Sequence, residues 1–138
     1  MLLEITGAAL LENDFDSFSN CFHVPHFIAT AEHKTVLKTR QELRDIFDKA
    51  VAGYSHQQIT NLVRFCEVAE YRSDTRIEAM HITHLMSGNQ RVADPFPSFS
   101  VLEFIDGRWQ LTSSQYAVEK TTPFGSAIEK HQADTAKQ

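Results

Sequence analysis

The hydrophobic residues near the N-terminus of the chain follow a helical spacing. Positions 2–11 predict a short helix that ends near Asn13, because asparagine tolerates the left-handed conformation that closes many helices. Asp14 predicts the N-cap of a second helix, since its carboxylate can accept a hydrogen bond from a free N–H of the first turn. The apolar residues of this second helix share one face, and they are Phe15, Phe18, Cys21 and Phe22.

The strongest helical pattern follows two short extended segments, predicted at 27–31 and 35–37 with a turn at 32–34. Thr39 and Glu42 predict a capping box at the start of this third helix, because each side chain can bond the backbone N–H of the other residue. Gly53 predicts its end. The apolar residues of the helix form one stripe that faces a core, namely Leu43, Ile46, Phe47, Ala50, Val51 and Tyr54.

The second half of the chain predicts strands at 59–72, 76–86, 98–105 and 108–118. The sequence Asp106-Gly107 is the strongest signal for a two-residue hairpin turn, and Pro95 and Pro97 mark a strand entry because proline has no N–H to donate. The predicted fold is α+β, with a strongly curved antiparallel sheet of about six strands wrapped around three helices from the N-terminal half, leaving one pocket. A single domain is predicted over 1–120, followed by a tail at 121–138.

The Asp106-Gly107 turn predicts which residues of the last hairpin share a face. It pairs Phe104 with Trp109 and Leu102 with Leu111, so an apolar face continues toward polar residues at the strand ends. A wall that changes from apolar to polar is typical of a ligand pocket. We therefore assign ligand contacts to Trp109, Ser100, Ser113 and Gln115, and to Phe18 of the second helix.

Composition narrows the classes of partner. The chain has 138 residues, of which 42% are apolar and 22% are charged, as expected for a globular domain. The net charge is −5 and the basic residues are scattered, so we expect no nucleic acid as a partner. No apolar stretch is long enough to cross a membrane, and the first residues lack the pattern of a secretory signal. Cys21 and Cys66 are expected to be free thiols, which favours the cytoplasm.

Histidines are the candidates for acid–base chemistry, because imidazole titrates near neutral pH. His26 lies just after Val24-Pro25, where the second helix is predicted to give way to the first strand. In the functional interpretation it acts as a general base or bonds a ligand. In the alternative it bonds a backbone carbonyl, and nearby His23 is solvated.

His81 and His84 are three residues apart on a predicted strand, so their side chains point to opposite faces and do not share a metal ion. If the preceding turn contains two residues, His84 shares a face with Asn61 and lines the pocket, whereas His81 lies beside Cys66. A single β-bulge would exchange these faces. The sequence contains no phosphate loop, zinc-spaced cysteines or G-x-S-x-G motif, and we expect neither a cofactor nor a metal.

Three segments carry a resemblance to a known superfamily. They are the helix break LENDFDSF at 11–18, the stretch from FHVPH at 22–26 to RQEL at 40–43, and the hairpin FIDGRWQL at 104–111. In order and spacing they resemble the nuclear transport factor two-like superfamily, and within it the SnoaL-like group. The resemblance implies a cone with a pocket between helices and sheet, and a homodimer formed through the outer sheet face.

The superfamily contains isomerases, dehydratases, polyketide cyclases and binding proteins without catalysis, so the resemblance does not choose a function. Its ketosteroid isomerases use a tyrosine and an aspartate. The matching positions here fall near Gly7 and within 28–32, where Glu32 is the one acidic residue, so this chemistry is not carried over.

We therefore predict a homodimeric pocket protein that binds a small apolar or aromatic ligand. The alternative is a cofactor-independent isomerase, dehydratase or polyketide-cyclase-like enzyme, with His26 or His84 as base and Asn61 or Ser113 orienting the substrate. A third possibility is a dimerisation domain with a filled core. The sequence does not decide whether the protein is an enzyme.

Overall fold

The computed structural model describes residues 2–30 and 34–116 of the chain. Glu32, the end of the last predicted strand and the tail predicted at 121–138 lie outside these residues. The described helices are α1 (Leu2–Glu12), α2 (Phe15–Ser19) and α3 (Arg40–His56). Within the described ranges, no helix has both the length and the hydropathy that crossing a membrane requires.

Local side-chain chemistry sets the helix boundaries, largely as predicted. Asn13 adopts a left-handed conformation with φ of 57°, and the carboxylate of Asp14 caps α2 by accepting from the N–H of Ser17. The hydroxyl of Thr39 caps α3 by accepting from the N–H of Glu42. These three positions confirm the helix starts and stops that the sequence predicts.

Two helix boundaries differ from the prediction. Helix α2 ends at Ser19, and Phe22 begins a strand because its backbone pairs with Leu111 in the sheet. Helix α3 continues past Gly53, because Tyr54 still belongs to the buried stripe and its packing outweighs the helix penalty of about 1 kcal/mol for glycine.

Seven strands form one curved, unclosed sheet, so the α+β prediction is confirmed and one small strand is added. The strands are β1 (Phe22–Ala29), β2 (Lys34–Leu37), β3 (Asn61–Ser73), β4 (Arg76–Ser87), β5 (Gln90–Arg91), β6 (Phe96–Ile105) and β7 (Arg108–Tyr116). Their order is β2-β1-β7-β6-β4-β3, with β5 paired to β4. The β1–β7 pair is parallel and the other pairs are antiparallel.

The last hairpin has the predicted register only near its turn. Asp106 and Gly107 have φ of 53° and 81°, as a two-residue turn requires, and Phe104 faces Trp109. Thr112 is then an extra residue on β7, because Leu102 pairs with Leu111 whereas Val101 pairs with Ser113. Beyond this bulge, each side chain of β7 lies on the face opposite to the predicted one. The prediction that Ser113 and Gln115 share a face with Ser100 was therefore wrong, and Ser114 and Tyr116 take those places.

The β3–β4 hairpin has its own bulge at Glu67, and its tight turn lies at Asp74-Thr75. His81 pairs with Cys66 and is 5% exposed, so its side chain lies on the inner face of the sheet. The opposite, outer face contains Phe65, which is 55% exposed, and His84, whose ring contacts that of Phe65. As predicted, the side chains of His81 and His84 lie on opposite faces of the sheet. The face that carries His84 is the outer one, so His84 does not line the cavity.

The helices pack against the inner face of the sheet. At the centre, the ring of Phe47 in α3 lies 5.4 Å from that of Phe15 and 4.9 Å from that of Phe18. Phe47 is 0% exposed. This aromatic cluster forms the centre of the core, and the inner face of the sheet beside it also carries buried polar residues such as His81 and Ser98.

Candidate functional site

A small cavity lies between helices α1 and α2 and the inner face of the sheet. Its volume is about 20 Å³, which is room for one water-sized group. The described residues that line it come from seven elements; they are Thr6, Leu10, Phe18, Phe22, Arg64, His81, Ser100, Leu111, Ser114 and Tyr116. Six of the ten carry a polar side chain, so the lining is mixed rather than apolar.

The hydroxyl of Ser98 in β6 is buried on the inner face and makes no hydrogen bond to any described residue. Ser98 pairs with His81 in β4. Ser98 is 1% exposed and pairs on its other side with Tyr116, which lines the cavity. A buried polar group without a partner costs about 1–3 kcal/mol.

Arg64 is the one residue with a formal charge among the described lining. Its Nη1 atom donates a 2.8 Å hydrogen bond to the hydroxyl of Thr6 in α1, which holds the guanidinium against the cavity. Burial, together with the positive charge of Arg64, lowers the pKa of His81 to about 4. His81 is therefore neutral at physiological pH. Within the described residues, no group of three potential metal ligands occurs.

Behind the cavity wall, His26 is fully buried and both of its ring nitrogens are occupied. Nδ1 lies 3.1 Å from the carbonyl oxygen of Leu111, and Nε2 lies 3.0 Å from the hydroxyl oxygen of Ser114. Because a carbonyl only accepts, Nδ1 must carry the proton. Burial lowers the pKa of His26 to about 4, so Nε2 is unprotonated and accepts the proton of Ser114.

This arrangement orients a short chain of hydrogen bonds. A side-chain bond joins Tyr116 to Ser114, and it opposes the rise in the pKa of Tyr116 that burial causes. Because Nε2 of His26 lies 3.0 Å from the Ser114 hydroxyl, His26 fixes the orientation of Ser114 beside the cavity and acts as a positioning residue.

The predicted site residues lie in three separate regions of the structure: at the cavity, at the far end of the inner face, and on the outer face. Ser100 and Phe18 line the cavity, and His26 lies directly behind it. Trp109 lies at the far end of the inner face, where its ring contacts those of Phe104 at 5.6 Å and Tyr71 at 6.1 Å. The outer-face residues are Asn61, His84, Ser113 and Gln115.

Sequence reasoning missed five of the six polar residues of the lining, namely Thr6, Arg64, His81, Ser114 and Tyr116. Ser114 and Tyr116 depend on the bulge at Thr112, which leaves no sign in the hydrophobic pattern. His81 had a signal, since the sequence already placed it opposite His84. Arg64 precedes Cys66 by two residues and shares its face, but a basic residue within a strand is more often solvated.

Neither a protein-family model nor a curated protein matches the chain. Solved structures do. An NTF-2 like protein of unknown function from Shewanella oneidensis MR-1 aligns with a TM-score of 0.62 and 14% identity, covering 85% of this chain and 93% of that one. A domain of unknown function with a cystatin-like fold from Nostoc punctiforme PCC 73102 aligns with a TM-score of 0.65 and 13% identity, covering 99% and 88%.

A third similar structure is a candidate dehydratase of the NTF2-like family from Streptomyces avermitilis. It aligns with a TM-score of 0.61 and 13% identity, covering 86% of this chain and 91% of that one. Identities this low indicate a shared fold and leave function to the chemistry of the site.

Proposed function

Because the chain has the nuclear transport factor two-like fold, also called cystatin-like, we propose that it binds a small molecule in the cavity between its helices and its sheet. The observation that carries the proposal is the hydroxyl of Ser98, which is buried beside His81 and makes no hydrogen bond within the described residues. A ligand atom that bonds this hydroxyl would offset the cost of burying it. Because the cavity has room for about one water-sized group, only a small polar end of the proposed ligand enters it.

Binding is better supported than catalysis. A histidine base in this cavity would have to be His81, because His26 is enclosed and His84 lies outside. A pKa of about 4 leaves His81 a weak base at neutral pH, since general bases work best with a pKa near the operating pH. The candidate dehydratase shares the fold alone with this chain.

The His81→Phe variant tests the site because the larger ring fills the cavity. We expect any compound that binds the wild type in a panel of small acids, amides, alcohols and phenols to lose at least about tenfold in affinity. Ligand-observed NMR followed by calorimetry measures this. The matched control is His84→Phe, the same change on the same strand but on the outer face, and it should bind normally.

Ser98→Ala separates a ligand contact from a structural role. We expect the unliganded variant to be as stable as the wild type or more stable by up to about 1 kcal/mol, while ligand affinity falls. If His81→Phe and His84→Phe bind alike, or if Ser98→Ala loses stability without changing affinity, the proposed site is wrong.

We also propose that the protein forms a homodimer through the outer face of the sheet. Phe65, Val68 and Phe99 are about half exposed there, and Val68, Met80 and Phe99 lie in one row across three strands. Val68, Met80 and Phe99 border a groove of about 550 Å³. Its charged residues include both signs, so a second copy related by a two-fold axis can pair acids with bases; they are Glu70, Arg72, Arg76 and Glu78.

Sedimentation tests the dimer. We expect the wild type to sediment as a dimer at micromolar concentration and Phe99→Lys to sediment as a monomer, because a buried, unpaired charge is costly. Phe104→Lys is the matched control, since Phe104 is exposed to a similar extent but lies on the inner face near Trp109. A monomeric wild type, or a dimeric Phe99→Lys variant, would contradict the proposal.

A reducing compartment such as the cytoplasm fits this proposal. Both cysteines of the chain, Cys21 and Cys66, are free thiols, and Cys66 is exposed. An exposed thiol persists most readily where glutathione keeps cysteines reduced.

A further inference from the structure

We propose that a second site, a groove at the C-terminal ends of helices α1 and α3, binds an amphipathic amine. This α1–α3 groove has a volume of about 440 Å³, which lies within the range of about 300–1,000 Å³ typical of small-molecule sites. Among the described residues, it shares only Leu10 with the lining of the inner cavity, the 20 Å³ space between helices and sheet. The inference therefore does not depend on the proposed function.

The floor of the α1–α3 groove is apolar. Leu10, Tyr54 and Ile59 line it, are 1%, 4% and 7% exposed, and belong to the hydrophobic core. Val51 of α3 also lines the groove and packs against that core. Because these side chains are already held by the core, the floor is formed before any ligand binds, and it suits the apolar part of a ligand.

Both helices end at the groove with the same backbone motif. Asn13 and Gln58 line the groove, and each has φ of 57°. The next N–H then bonds the carbonyl five residues earlier, at 2.9 Å for Asp14 and 3.0 Å for Ile59. The last carbonyls of a helix have no partner within it and give that end a partial negative charge. Two such ends meet at this groove.

The formal charge of the groove is negative as well. Glu12 is the one residue with a formal charge among the described lining, and it is exposed. It lies in the last turn of α1, where the helix end disfavours a carboxylate and no basic residue offsets it. An ammonium group beside Glu12 is attracted by both the carboxylate and the helix end, whereas an anionic group is repelled. An apolar floor with a negative rim fits an amine that has an apolar body.

A matched pair of probes tests the charge. We expect 2-phenylethylamine to bind the wild type at least about fivefold more tightly than 2-phenylethanol, which has a similar shape without the charge, at low ionic strength. Calorimetry or ligand-observed NMR up to about 10 mM probe covers the affinities expected for compounds of this size. Glu12→Gln should abolish the preference. The matched control is Glu4→Gln, at the other end of α1, which should keep it.

Two substitutions by phenylalanine test the location. Val51→Phe places a larger side chain in the α1–α3 groove and should weaken the binding of both probes at least about fivefold. His81→Phe fills the inner cavity instead, so it should bind 2-phenylethylamine as the wild type does. Should Val51→Phe fail to fold, the comparison of Glu12→Gln with Glu4→Gln still decides the matter.

The outcomes separate this inference from the proposed function. Equal binding of the amine and the alcohol, or equal effects of Glu12→Gln and Glu4→Gln, would overturn the inference. So would a wild type that does not bind the amine, or a folded Val51→Phe variant that binds it normally. If His81→Phe is the variant that loses the amine, the compound binds in the inner cavity, and the α1–α3 groove is wrong while the proposed function stands.

Discussion

Replacing Phe47 by alanine is expected to lower the free energy of unfolding by about 3–5 kcal/mol, a large part of the roughly 5–15 kcal/mol typical of a domain. The ring is 0% exposed and fills the point where α2 and α3 meet. Its neighbours Phe15 and Phe18 belong to a helix of five residues that cannot move far to close the space. The loss therefore includes the free energy gained by moving the ring out of water and the cost of the cavity that remains.

Urea unfolding followed by circular dichroism measures this loss. The matched control is Phe104→Ala, because Phe104 is a phenylalanine of strand β6 that is 45% exposed. We expect that variant to lose no more than about 1 kcal/mol. Equal losses at the two positions would mean that the aromatic cluster around Phe47 does not form the centre of the core.

Acidification from about pH 6.5 to pH 4 is expected to destabilise the protein, with His26 alone contributing on the order of 3 kcal/mol. The pKa of His26 is about 4 when folded, against 6.5 for an ordinary histidine. Between these values the unfolded chain binds the proton and the folded chain does not. The contribution of His26 to the free energy of unfolding is therefore fully present above pH 6.5 and is lost as the pH falls toward 4. His81, whose pKa is also about 4, acts in the same direction.

Carboxylates also titrate in acid, so the comparison with variants isolates the histidine. We expect the unfolding free energy of His26→Gln, measured at several pH values between 7 and 4.5, to depend less steeply on pH than that of the wild type. The control His84→Gln removes a histidine from the outer face and should keep the wild-type slope. If the unfolding free energies of His26→Gln and the wild type change equally with pH, His26 does not cause this pH dependence.

The parts of the fold that the sequence predicts well are those decided by local chemistry. Asn13, Asp14 and Thr39 each satisfy or terminate a helix end through their own side chain or backbone, and Asp106-Gly107 adopts the positive φ values of its turn without help from distant residues. The stripe along α3 is equally local. Where long-range packing competes with a local preference, as at Gly53, the prediction is wrong by one turn of helix.

The candidate site is less predictable because it depends on which way strands face. The bulges at Glu67 and Thr112 each shift the alternation of side chains by one residue. A shift of one residue moves every following side chain to the other face. For this reason Ser113 and Gln115 face outward, and Ser114 and Tyr116 take their places. His26 was predicted at the mouth of the pocket, but β1 begins at Phe22 and carries it into the interior.

The extra residue at Thr112 has an evolutionary consequence. Deleting a single codon there would restore regular alternation and bring Ser113 and Gln115 back into the lining in place of Ser114 and Tyr116. The Ser114 hydroxyl that His26 orients would leave the lining without any amino-acid replacement in the rest of the protein. Related chains can therefore acquire a different ligand preference through a change in strand length, which a comparison of aligned residues would not reveal.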